Sequence, residues 1–211
     1  GARGLRLAAS PPERLGPLDP DVARLYRAAL ERLGEAGFVL VETPPPPMLE
    51  ESFTPNGLLM AGEGWRIWGD RILAKADDMD PWIVRRFQAG RDISDEQLAR
   101  IHLDRLASQA AFQNWMADFD GVVSPTCPIP ASALADVDET VSPLSRLTRA
   151  ANYLDLPGIS VPCGLTRDGL PVGLQITGRT GDEATVIAIG AAFERISGWA
   201  GRAPDLEAFG P

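Results

Sequence analysis

Residues 152–178, NYLDLPGISVPCGLTRDGLPVGLQITG, constrain the fold more than any other stretch, because they read as one tight antiparallel hairpin. Residues 158–163 and 172–176 are short apolar, β-branched runs, and Asp168-Gly169 between them is a turn dipeptide. Pro157, Pro162 and Pro171 carry no backbone donor, so these strand boundaries belong at a sheet edge or a bend, not in the middle of a ladder.

The opening of the chain supplies the rest of a sheet. Residues 5–9 are a candidate strand. Asp19-Pro20 follows as a helix start, with an acceptor at the N-cap and a proline in the first turn. Val22, Leu25, Ala29 and Leu33 recur at helical spacing, Gly37 ends the helix, and residues 38–41 form a second strand. A strand-helix-strand crossover favours a parallel pair. Together with the hairpin it predicts an α/β fold, a mixed β-sheet covered by helices.

Between these ends the chain reads as helical. The polyproline run 44–47 is a stiff connector and marks an internal boundary at 43–48 within what otherwise reads as a single α/β domain, 1–211. Residues 58–75 place Trp65, Trp68, Ile72 and Leu73 on one helix face, expected to be core. A short helix spans 81–88 and stops at Gly90. Ser94 and Gln97 form a capping box for a helix reaching 117. That helix carries two apolar stripes, Leu98, Ile101, Phe112, Trp115 and Phe119, and Leu103, Leu106 and Ala110, which predict packing on both sides. A strand at 121–124 broken by Pro125, a loop at 131–142, a helix at 144–153 and a final helix from Asp182 or Glu183 complete the reading. The last helix puts Val186, Ile189, Phe193 and Ile196 on one face.

Composition excludes several classes of function. With 45% hydrophobic residues in 211, the chain buries a sizeable core, which disfavours disorder. A net charge of −9 opposes a phosphate-binding surface and so disfavours nucleic acid. No apolar run approaches the roughly 20 residues that cross a bilayer, and residues 1–10 have no apolar signal core, so a soluble cytoplasmic protein without membrane contact is expected. Cys127 and Cys163 read as buried, inert thiols. His102 and scattered carboxylates show no metal-ligand spacing, so neither metal nor cofactor is expected.

The same hairpin also carries a family resemblance. Asn152, then Leu156, Pro157, Ile159, Ser160, Val161, Pro162, Cys163 and Gly164, followed by Gly169, Leu170, Pro171, Val172, Gly173, Leu174 and Gln175, resemble the C-terminal pattern of the amidase signature family. The likeness extends through DPWIVRRFQAG, DFDGVVSPTCP and EATVIAIGAAFERI to nearly the whole chain. It implies the C-terminal part of an amidohydrolase that cuts a carbon-nitrogen amide bond, on a small-molecule amide substrate. That family uses a Ser-Ser-Lys arrangement in a Gly/Ser-rich segment upstream of what this sequence contains. The chain opens Gly1-Ala2-Arg3 and enters an apolar strand almost at once, the pattern expected of a truncated polypeptide.

The residues present agree that no catalytic set is carried here. Lys75 is the single lysine, and it is followed by Asp77, Asp78 and Asp80, whose charge works against a base role. Neither Cys127 nor Cys163 has a second histidine to draw on, His102 being the only one. What the resemblance implies instead is a pocket wall: Thr126 offering a hydroxyl, Cys127 a small apolar surface, and Arg86 a cation in the segment that clamps an amino acid in glutamine-using members. Ser145 stands where such members place an aspartate. A hydroxyl cannot pair with an α-ammonium group as a carboxylate does, so glutamine is disfavoured. The expected partners are a missing N-terminal half or a second subunit, and self-association into a homo-oligomer is a further option. The rival expectation, of a different class, is a non-catalytic binding or assembly subunit that retains the scaffold.

Overall fold

A computed structural model describes residues 2–46, 48–138, 144–199 and 201–203. The first strand, β1 (Arg6–Ala9), leads through a short 3-10 turn into α1 (Pro20–Glu35), and β2 (Val39–Glu42) follows. Asp19 caps α1 through its carboxylate, which accepts from the backbone N–H groups of Asp21 at 2.8 Å and Val22 at 3.4 Å. Behind that cap, Val22, Leu25, Tyr26, Ala29 and Leu33 form the buried stripe. β1 and β2 are parallel, with Leu7 opposite Leu40, as the crossover requires.

The chain then leaves the sheet for a helical excursion: α2 (Met48–Glu51), α3 (Phe53–Lys75), α4 (Pro81–Gln88) and α5 (Asp95–Trp115). It returns as β3 (Gly121–Pro125), followed by α6 (Arg149–Leu154), β4 (Gly158–Leu165), β5 (Pro171–Thr177) and α7 (Glu183–Ser197). The strand order is β2-β1-β3-β5-β4. β3 lies parallel to β1 and antiparallel to β5, so the sheet is mixed. Among the described residues no helix is long and apolar enough to cross a membrane.

Strand alternation divides the core in two. Leu7, Ala9, Val123, Leu174, Ile176, Val161 and Cys163 join the stripes of α1 and α7, where Val186, Ile189 and Phe193 are buried. Each Leu, Ile, Val or Phe among them, taken fully from water, contributes about 1.5–3 kcal/mol. Val122, on the opposite face, packs against a second cluster of Phe112, Met116, Ala150, Tyr153 and Leu154 from α5, the 3-10 turn after it and α6. Close backbone approach fixes the helical excursion: a Cβ at Gly90, after α4, would sit 1.9 Å from the carbonyl oxygen of Ala61 in α3.

The hairpin forms with longer strands than the apolar runs alone indicate. Pro162 lies inside β4, but β4 is an edge strand, so its missing donor breaks no second ladder. The register shifts between Pro162 and Gly164, where a bulge absorbs Cys163. Pro171 opens β5, and Pro125 is retained as the last residue of β3.

Several expectations are corrected. The α3 helix starts at Phe53 rather than near residue 58, because Pro55 falls in its first turn, where the absent N–H is not needed. Trp65 is half-buried, and Trp68 and Leu73 are exposed; only Ile72 of that quartet is core, and small residues (Ala61, Gly62, Gly64, Gly69) form most of the packed face instead. The second stripe of α5 is also open, with Leu103 at 64% and Leu106 at 62% exposure, so this helix packs on one side. Ile196 is exposed at the end of α7. The helix expected at 144–153 is helical only from Arg149, because Thr148 Oγ1 turns back to the Ser145 carbonyl at 3.3 Å and holds 145–148 as turns. The loop at 131–142 contains a 3-10 turn, Leu134–Asp136; its positions from 139 on, and position 47 of the polyproline run, lie outside the described residues.

Tyr26 tests how the centre is held. Its buried hydroxyl lies 3.0 Å from the Val123 carbonyl and 3.1 Å from that of Ser10, bridging the ends of β1 and β3. Burial pushes its pKa well above the ordinary phenol value, so it acts as a donor at every physiological pH. Tyr26→Phe should lower stability by about 1–2 kcal/mol in urea unfolding, with an unchanged m-value.

Candidate functional site

Two sets of side chains stand out, and they are built by different elements. The first lies at the C-terminal end of β3. Thr126 is held by its backbone N–H, which donates to the Gly173 carbonyl at 2.9 Å. Its hydroxyl lies 2.6 Å from that of Ser160 on β4. Gly173 must lack a side chain here: a Cβ would meet Ser160 Oγ at 2.4 Å and Thr126 Oγ1 at 2.6 Å. Gln175 donates from Nε2 to the Leu147 carbonyl at 3.0 Å, tying the segment before α6 to the same sheet face. Ser160 is exposed, so the hydroxyl pair opens outward from the hairpin.

Cys127 follows as a partly covered thiol, its pKa raised by burial. Cys163 is buried, and burial pushes its thiol up to about 11. His102 Nε2 instead lies 3.2 Å from Glu63 Oε1, on the outer surfaces of α5 and α3. A thiolate-imidazole pair is therefore not assembled among the described residues.

The second set forms a cleft of about 320 Å³ between α3, α4 and the start of α6, walled by Phe53, Leu58, Ala61, Ile93, Arg86 and Arg149. Ser145 does not line this cleft directly. Its Oγ accepts from Arg149 Nε at 3.1 Å and Nη2 at 2.9 Å. Arg149 Nη1 also donates to the Phe53 carbonyl at 3.4 Å, and the guanidinium carbon stands 3.7 Å from the Phe53 ring centroid. Desolvation, and then the charge of Arg86, hold the Arg149 pKa below its ordinary value. Next to the cleft, Asn152 Nδ2 donates to Asn56 Oδ1 at 3.1 Å and links α6 to α3.

The structure thus brings Arg86 and Ser145 to one locality through Arg149, and Thr126 and Cys127 to another. Arg149 was not singled out from the sequence. The available signal was its spacing, four residues after Ser145, which lets a turn return the guanidinium to the hydroxyl. Lys75 is exposed at the end of α3, and among the described residues no serine bonds it. A further cavity of about 40 Å³ lies against the sheet, lined by Leu49, Phe112, Leu147 and Ala150 together with Ser124 and Gln175. Among the described residues no group of three His, Cys, Asp or Glu side chains is placed to hold a metal ion.

Comparison with known proteins gives a consistent answer. A family model described as amidase matches residues 2–187. The chain is 31% identical to a glutamyl-tRNA(Gln) amidotransferase component from Brevibacillus brevis, over 96% of this chain and 47% of that protein. It is 28% identical to an amidase from Pseudomonas putida, over 98% of this chain and 46% of that one. The structure of an allophanate hydrolase from Kluyveromyces lactis superposes with a TM-score of 0.81 at 20% identity, over 97% of this chain and 36% of the other, a likeness of fold. The chain spans about half the length of the curated relatives it matches.

The thiol environments make a direct prediction. Iodoacetamide at pH 7 should modify Cys127 slowly and Cys163 only on unfolding, as read by intact mass, because both thiols are shifted away from thiolate. Cys127 reactivity should rise steadily with pH above 9, with no plateau near neutrality.

Proposed function

Because this chain belongs to the amidase family, we propose that it forms the C-terminal part of an amide hydrolase and acts as scaffold and pocket wall, with the reactive groups outside these 211 residues. The observation that carries this reading is the environment of Lys75. Hydrolysis by a serine pair requires an unprotonated base within hydrogen-bond reach of a hydroxyl, and donors placed for the oxyanion. The one lysine of this sequence is exposed at a helix end with no serine bound to it among the described residues.

In this reading the whole chain works as a single α/β unit. The hydroxyls of Thr126 and Ser160 border the substrate, Cys127 provides apolar wall, and Arg86 supplies charge at the neighbouring cleft. Ser145 is committed to Arg149, which supports the view that an α-ammonium group is not its ligand and that glutamine is not the substrate. The catalytic segment is supplied by additional sequence or by a second subunit. The setting is the cytoplasm, the ligand is a small amide, and no cofactor, nucleic acid or membrane takes part.

The test compares this purified chain with the product of the full gene on small aryl and alkyl amides. The chain alone should show no turnover above background. Lys75→Ala in the full product should leave kcat within about twofold, since a true general base contributes about 100- to 10,000-fold. Turnover by the isolated chain that disappears on changing Lys75 would contradict the proposal. A full-length product that is folded but inactive on every amide would favour a non-catalytic assembly subunit instead.

A further inference from the structure

The last helix is apolar over more of its surface than the core covers. In α7, Val186, Ile189, Gly190 and Phe193 are buried against the sheet and α1. Ala184, Ile187, Ala188 and Ala191 recur at three- and four-residue spacing outside that face, and Ile187 is 58% exposed. Residues 184–193 carry no charge. A helix that is apolar all round is ordinarily covered all round. A groove of about 500 Å³ lies beside the outer face, between it and Ala2 and Leu5 at the approach to β1, so the apolar surface continues past the helix itself.

The charges at the two ends of α7 say what fits this face. Glu183 opens the helix and Arg195 lies in its last turn, and both are exposed. Neither has an opposite charge one turn away on its own helix, where Glu183 finds Val186 and Ile187, and Arg195 finds Ala191 and Ala192. Laid antiparallel on a second copy of itself and centred near Ile189, α7 sets Glu183 against Arg195 of the other copy at both ends. The same register brings Ile187 of each copy against Ala191 of the other, a large side chain against a small one. A parallel pair would oppose like charges at each end. A patch that complements itself under a two-fold axis is the commonest basis of soluble homo-oligomers. We propose that the outer face of α7, with the groove beside it, is a two-fold interface between two copies of this chain. The interface stands on this chain's own residues, whatever reaction the full protein carries out. A helix about 22 Å long offers less than the roughly 800 Å² per partner of a standard stable interface, so the dimer is weak, with a dissociation constant of about 10–100 µM.

The experiment is sedimentation equilibrium of the 211-residue chain from about 1 to about 300 µM, a range that spans that constant. The chain should pass from monomer to dimer across it. Ile187→Glu should weaken association at least about tenfold, because each copy then presses a carboxylate on an apolar surface, and should leave thermal stability unchanged because the position is exposed. Glu183→Arg and Arg195→Glu should each weaken it about fivefold by setting like charges together. An equimolar mixture of those two variants should associate more tightly than either alone, since opposite charges meet again at both ends. The full gene product should respond to Ile187→Glu in the same direction. A monomer at every concentration, association undiminished in Ile187→Glu, or a mixture no tighter than its components would overturn the proposal. A full gene product that stays monomeric over the same range would overturn it too, by placing additional sequence and not a second copy on this face.

Discussion

The structure depends on β3 occupying the middle of a sheet with parallel pairing on one side and antiparallel pairing on the other. Val123 is matched to Ala9 across one ladder and to Ile176 across the other. That dual pairing joins the strand-helix-strand opening to the hairpin, although the two lie far apart in the sequence. It also fixes where β3 ends. The Tyr26 hydroxyl at the Val123 and Ser10 carbonyls sets the C-terminal edge, and Gly173 then allows Thr126 to come beside Ser160. Buried apolar area on the α1/α7 face supplies most of the stabilising free energy, and the polar contacts decide the register.

On the opposite face the chain is differently organised. α6 is short; it buries Ala150, Tyr153 and Leu154, and polar links add to that anchorage: Asn152 to Asn56, Arg149 to Phe53 and, just before the helix, Gln175 to the Leu147 carbonyl. Such links are directional and tolerate exposure, which apolar packing does not. They leave an open surface carrying the hydroxyl pair and the arginine cleft above a packed core.

The elements most legible in the sequence were those with strong local chemistry. Asp19-Pro20 and the Ser94/Gln97 box place helix starts because a side-chain acceptor satisfies an orphan N–H irrespective of tertiary context. The turn at Asp168-Gly169 is equally local: Gly169 adopts φ +82°. Burial was less legible. The stripes of Leu103 and Leu106, and of Trp68 and Leu73, have helical spacing, yet periodicity reports a shared face and not what covers it. Arg149 was missed for a related reason. The four-residue spacing of Ser145 and Arg149 permits a turn that joins them without requiring it, and nothing local points to the Phe53 ring 96 residues away that receives the guanidinium.

The central claim, that these residues shape an amide-hydrolase pocket whose reactive groups lie elsewhere, is tested most directly by covalent labelling. A fluorophosphonate probe phosphonylates a serine only where a base and oxyanion donors activate it. With the full gene product labelled, digested and mapped by mass spectrometry, the adduct should fall on a serine outside these 211 residues. An adduct on Ser124, Ser160 or any other serine of this chain would contradict the account.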